Sequence, residues 1–423
     1  MAVDFKHASL HNGLQIIAEV DPEAHTAAMG IFIKAGARDE ATKLMGVSHF
    51  LEHMMFKGTP RRTADEVNQH FDDIGANYNA FTSHEMTAFW AHVLPEHLPQ
   101  ASDVLTDILR PSLRGEDFTQ EKGVILEEIA MYADHPFWVL YEQAMERYYG
   151  EHPLSHRVLG TKESIQRMTR DEMAAYFEQR YSADNTVIAL AGRVDFDTEV
   201  ARLGEACGGW ARTDAARRYP PVTIKPQEFT DTSEKVNRHY MLAISPAPAV
   251  QDDDRYAAGI LAQILGDADG SRLYWALVET GLAEDAEAHY DPRDGVGEFY
   301  LYASCSPDQA DTIERMVLDE AARLPDSLEE RDLARVRSKM ATSVTLAGER
   351  PSGRMTRIGR VWTYTGSHRS LEEELDRINA VTLDDLHRVY EAYPFTPRVV
   401  ARLTPKAKAT VAAGSANGIS TGE

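Results

Sequence analysis

Cysteine is nearly absent. In 423 residues only Cys207 and Cys305 occur, in different halves and in no C-x-x-C pattern. This leaves no basis for a disulfide framework or a thiolate metal site. Long apolar runs are missing too: no stretch reaches the roughly 18 apolar residues that a spanning helix needs. Basic residues are scarce beside acidic ones, 44 against 67, for a net charge of −23. Nucleic-acid binding needs a basic face, so that class is set aside, whereas an acidic surface is compatible with attracting basic peptides. The opening MAVDFKHASLHNGLQ has no basic region followed by an apolar core. A secretory signal is therefore not expected, and the cytoplasm is the default compartment.

What is present is ordinary for a globular protein, with 43% hydrophobic and 26% charged residues. The length exceeds what one core usually supports, so two or more domains are expected.

The most informative stretch is GVSHFLEHMMFKGT, Gly46 to Thr59. It contains His49, Glu52 and His53 as H-x-x-E-H. Histidines four apart fall on one helix face, one turn apart, and two imidazoles so placed can bind one zinc ion from the same side. Glu52 is close enough to reach a water on that ion. The order is the reverse of H-E-x-x-H and is the inverzincin signature. Apolar Phe50, Leu51, Met54, Met55 and Phe56 surround the histidines, which therefore need polar partners.

A third ligand is available in DFTQEKGVILEEIAMYAD, Asp117 to Asp134, which reads as a helix. Glu121 and Glu128 lie two turns apart on one face. Glu127 is rotated by about 100° and points elsewhere. A face with two carboxylates suits one metal ligand and one group that orients a bound imidazole.

These segments, with NYNAFTSHEMTAFW between them, resemble the pitrilysin and insulinase-type zinc peptidases, which include the mitochondrial processing peptidase. The resemblance extends more weakly over most of the chain. It implies that His49, His53 and Glu128 hold one Zn²⁺, that Glu52 is the general base on a zinc-bound water, and that Glu121 supports a ligand histidine. It implies that Asn79, Ala80, Phe81 and Thr82 form an edge strand that binds extended peptide by strand addition. His84, just beyond, reads as mostly surface. The family also carries an arginine and a tyrosine, seven apart, in its second half. The matching segment here, GSRLYWALVETGLAEDAEAHY, has Val278 and Glu284, six apart, where that pair is expected, with Arg272, Tyr274, Tyr290 and Arg293 nearby as candidate substitutes. Members of this length pair into a chamber. The expected partners are peptide substrates and a second copy of the chain, or a homologous subunit that supplies the missing pair.

The fold class implied is α+β: two related halves in a clamshell, each a mixed or antiparallel sheet with helices packed on it. Residues 1–215 are expected to form the catalytic half. Residues 216–236, with Pro220, Pro221 and Pro226, read as a linker. Residues 237–405 read as a related half without the metal motif, and 406–423 as a disordered tail.

Overall fold

The structure is a computed structural model that describes residues 3–406. The expected tail, apart from Lys406, lies outside the described residues. The first sheet consists of β1 (Asp4–Ser9), β2 (Gln15–Val20), β3 (Ala27–Ile33), β4 (Asn77–Thr82), β5 (Thr87–Val93) and β6 (Thr186–Gly192), in the order β1-β2-β6-β3-β5-β4. Only the β2–β6 pair is parallel. The edge position of β4 matches the sequence reading. The second sheet is built from β7 (Gln227–Ser233), β8 (His239–Ala247), β9 (Asp285–Pro292), β10 (Gly297–Cys305) and β11 (Val399–Pro405), in the order β7-β11-β8-β10-β9. Its antiparallel run β8-β10-β9 repeats β3-β5-β4, and the parallel pair β7–β11 repeats β2–β6. The two halves are thus related α+β units, as expected.

The helices of the first half are α1 (Val47–Met55), α2 (Ala64–Asp73), α3 (Leu98–Ile108), α4 (Gly115–Tyr132), α5 (Pro136–Tyr149), α6 (Lys162–Arg167), α7 (Arg170–Arg180) and α8 (Phe196–Cys207). Those of the second are α9 (Arg255–Gly266), α10 (Ala310–Arg323), α11 (Glu330–Glu349), α12 (Pro351–Thr365), α13 (Leu371–Ala380) and α14 (Leu383–Ala392). Starts follow local chemistry: Thr63, Thr161, Thr169, Ser370 and Thr382 each close a capping box.

Two helices cross between halves. The α12 helix, from the second half, lies on β3 and β6 of the first sheet and buries Met355 and Ile358 against Ile17, Phe32 and Ala189. The approach is close enough that a Cβ on Gly359 would sit 2.1 Å from the Phe32 ring. Reciprocally, α5 lies on β8 and β11, with Leu140, Ala144 and Met145 against Leu242, Ile244 and Ala401. With helices on both faces, β3 (AAMGIFI) is buried at every position.

Three sequence readings need correction. Residues 216–236 are no simple linker, because β7 lies within them and pairs with β11. Strand β9 goes unnoticed in the sequence because DAEAHYDP carries three acidic residues in eight and ends in proline; it is an edge strand, where such residues are tolerated. The H-x-x-E-H helix, which the sequence pattern places from about Lys43 to Lys57, spans only Val47–Met55, because Thr42–Leu44 makes a separate 3₁₀ turn.

Candidate metal centre

The short helix α1 is fixed at its N-terminus by Glu40. The Gly46 and Ser48 amides donate to the Glu40 carboxylate at 2.7 and 2.8 Å. Burial pushes the Glu40 carboxyl up to about 8, against the lowering effect of those amides. The apolar face of α1, Val47, Phe50, Leu51, Met54 and Met55, packs into the first core. His49 and His53 stand one turn apart with ring centroids 4.7 Å from each other.

The partner helix α4 packs against α1, with Phe118 stacked on Phe50 at 4.8 Å. That contact brings Glu128 opposite both histidines: its Oε2 is 3.7 Å from His49 Nε2 and 3.7 Å from His53 Nε2. A tetrahedral zinc ion with ligands about 2.0–2.2 Å away holds its donor atoms roughly 3.4 Å apart. The three side chains form the one such group among the described residues. Glu121, seven residues earlier on the same face, pairs its Oε1 with His53 Nδ1 at 2.8 Å, and Lys57 meets its other oxygen at 2.7 Å. His53 therefore keeps Nε2 for a metal, as a supported ligand imidazole does. Glu127 is exposed, as its helical position requires. Burial, with the nearby His53, pushes the His49 imidazole down to about 3, which keeps it in the neutral form that ligates. The residues present thus fit a zinc ion.

Glu52 is not one of this group. Thr82 Oγ1 donates to Glu52 Oε2 at 2.6 Å, which ties the helix to the edge strand β4. Burial raises the Glu52 pKa; Thr82 and His53 oppose this and Glu128 reinforces it. A carboxyl so raised is better matched to taking and returning a proton near neutrality. Asn79, Ala80, Phe81 and Thr82 lie along β4, whose outer edge pairs with no strand among the described residues.

A cavity of about 440 Å³ opens beside His49, Glu52 and Glu128, walled by Phe81, Thr82, Tyr132, Trp138, Tyr141 and Met145. His84 also lines it and is half-buried rather than mostly surface: burial holds its imidazole well below the usual range. Sequence reasoning missed the aromatic wall from the α4–α5 junction. The signal available was the aromatic density of Tyr132, Phe137, Trp138 and Tyr141 directly after the ligand helix.

The second half contributes no arginine or tyrosine to this cavity. Val278 packs against the second core, and Glu284 pairs with Arg238. The four candidate substitutes are engaged elsewhere. Arg272 is bound to Asp332 at 2.5 Å, Tyr274 to Glu279 at 2.8 Å and Tyr290 to the Pro248 carbonyl at 2.8 Å. Arg293 is buried against Glu298 at 2.6 Å and reaches the cavity only from behind, through the Tyr141 hydroxyl at 3.1 Å.

Comparison with known proteins agrees with this geometry. Residues 15–162 match the family model described as insulinase (peptidase family M16), and residues 167–340 match the peptidase M16 inactive domain. An uncharacterized zinc protease of Mycobacterium tuberculosis is 33% identical over 394 residues, covering 91% of this chain and 89% of that protein. One from Bacillus subtilis is 30% identical over 382 residues, covering 90% and 93%. Among solved structures, a protease from Helicobacter pylori superposes with a TM-score of 0.89 at 20% identity, covering 95% of this chain and all of the other. A chain of complex III from Candida albicans shares the fold at a TM-score of 0.79 and 18% identity, covering 94% and 95%. With an H-x-x-E-H helix, a glutamate brought to it from a second helix and matching family models over both halves, this chain belongs to the insulinase family of peptidases, family M16.

Proposed function

We propose that this chain is a zinc-dependent endopeptidase acting on extended or unfolded peptides. The observation that carries the reading is the approach of Glu128 to both imidazoles, with Glu52 beside them yet outside the ligand group. His49, His53 and Glu128 would hold one zinc ion per chain. When bound, zinc supplies Lewis-acid polarisation of the scissile carbonyl and makes water acidic enough to attack near neutral pH. Glu52 takes the proton of the attacking water and returns it to the leaving amine. Thr82 orients that carboxylate, and Glu121 holds His53 in the ligating tautomer. Asn79, Ala80, Phe81 and Thr82 offer an open strand edge that an extended peptide would join by main-chain hydrogen bonds.

Glu52→Gln is expected to retain about one zinc per chain and to lose hydrolysis of an unstructured basic peptide. Glu128→Gln and His53→Ala should instead lose metal. Cleavage by Glu52→Gln at the wild-type rate would remove the base assignment, and full zinc content in both other variants would remove the ligand set.

One observation favours a second reading, in which the chain works with a homologous subunit. Val278 and Glu284 are turned to the second core and to Arg238, so among the described residues the second half presents no arginine–tyrosine pair to the cavity. Sedimentation and activity of the purified chain separate the two readings: an active homodimer needs no other subunit.

A further inference from the structure

Residues 210–226, between α8 and β7, form neither helix nor strand, yet one side chain in them is almost completely enclosed. The Arg217 side chain is 3% exposed, and its guanidinium lies among groups from three separate parts of the chain. It donates to both oxygens of Asp39 at 3.0 and 2.7 Å, to Asp294 Oδ2 at 3.0 Å, and to the Glu85 carbonyl. Asp39 closes a 3₁₀ turn, Ala37–Asp39, that comes before the Thr42–Leu44 turn and α1. Asp294 sits in the β9–β10 turn of the second half. Glu85 ends the Ser83–His84–Glu85 turn that follows the edge strand β4.

The contacts around that turn are dense. The Glu85 carboxylate accepts from Arg38 at 2.5 Å, from the Asp294 amide at 3.1 Å and from the Tyr364 hydroxyl at 3.0 Å. The Ala37 and Arg38 amides donate to the Ser83 and His84 carbonyls at 3.2 and 2.8 Å. A Cβ on Gly36 would fall 2.5 Å from the Ser83 carbonyl oxygen, so the two backbones are in direct contact. Lys34 and Tyr219 complete the surroundings of Asp294 at 2.9 and 2.8 Å.

We infer that Arg217 is a positioning residue for the reaction: by joining Asp39, Glu85 and Asp294 it sets the Ser83–Glu85 turn, and through it Thr82 against Glu52. The proposal rests on the peptidase reading for its kinetic consequence, not for its structural one. Thr82 is three residues before Glu85 on the same hairpin, and its 2.6 Å bond to Glu52 has little slack. Removing the guanidinium leaves buried Asp39 with only the more distant Arg180 at 3.7 Å, and Asp294 with Lys34 alone. The turn then relaxes away from the 3₁₀ segment and carries Thr82 with it. A displacement of about 1 Å in such supports lowers turnover by up to about 100-fold.

The test is a double-mutant cycle of Arg217→Gln and Thr82→Val, with amide exchange read alongside kinetics and zinc content. Arg217→Gln should keep its zinc, while the amides of Ala37, Arg38 and residues 83–86 exchange about tenfold faster and those of α3 do not. Its kcat should fall by about 10- to 100-fold. In the Thr82→Val background the same change should cost less than about threefold, because the two act through one contact. Arg217→Lys should recover part of the loss and serves the same cycle if Arg217→Gln does not fold. Arg272→Gln, which breaks a less enclosed ion pair in the second half, should leave exchange at 83–86 unaltered. Additive kinetic costs, or exchange that rises uniformly over the chain, would overturn the inference. A wild-type chain without hydrolysis would sink the peptidase reading alone, and the exchange pattern would still decide the role of Arg217.

Discussion

At the scale of single residues, the site is built from side chains whose charge is set by burial. His49 is kept neutral, while Glu52 and Glu128 are raised toward their protonated forms. Glu40 offers a clean measurement because it contacts the metal helix only through backbone amides of Gly46 and Ser48 and the Ser48 side chain. Its carboxyl is raised from 4.5 to about 8, so the folded chain holds a proton there that the unfolded chain releases. Between those pH values the unfolded state binds fewer protons, and this group's contribution to stability falls as pH rises. Glu40→Gln removes the titration. Relative to wild type, the variant should gain stability from pH 5 to pH 8.5, by an amount on the order of a few kcal/mol. Denaturant titrations at the two pH values check this, and a difference that does not change with pH would contradict it.

At the scale of elements, the H-x-x-E-H helix and its partner α4 follow from local pattern, because 3.6-residue periodicity places His49 with His53 and Glu121 with Glu128. What periodicity cannot say is which elements meet. The α12 helix belongs by sequence to the second half, yet its small residue Gly359 lies on Phe32 of the first sheet. Gly359→Ala should force Phe32 from its place and cost about 1–3 kcal/mol, readable as a lower unfolding midpoint. An unchanged midpoint would mean that α12 is not seated on β3. The missed strands β7 and β9 have the same origin. Both are edge strands, polar enough to read as loops, and only pairing with β11 and β10 makes them strands.

At the scale of the whole molecule, the exchange of α5 and α12 makes the halves interdependent. Residues 1–215 alone would uncover Ile17, Ala28, Phe32, Ala88 and Ala189, which α12 covers, and would leave Leu140, Ala144 and Met145 of α5 without their sheet. That fragment is expected to bind a hydrophobic dye or precipitate, and to regain solubility when coexpressed with residues 216–423. A soluble fragment with a single cooperative unfolding transition would show the halves to be independent. No helix among the described residues is long and apolar enough to cross a membrane.

The amino-acid sequence by itself determined the candidate metal ligands, the glutamate beside them, the capped helix starts and the related α+β halves. These depend on spacing and capping within short stretches, where covalent geometry limits the outcomes. Only the tertiary structure decided that Glu128 closes on both imidazoles, that His84 faces the cavity, that each half carries a helix of the other, and that Arg217 is enclosed by three distant loops. Those facts depend on long-range packing, in which apolar area and buried charge find partners that no local pattern specifies.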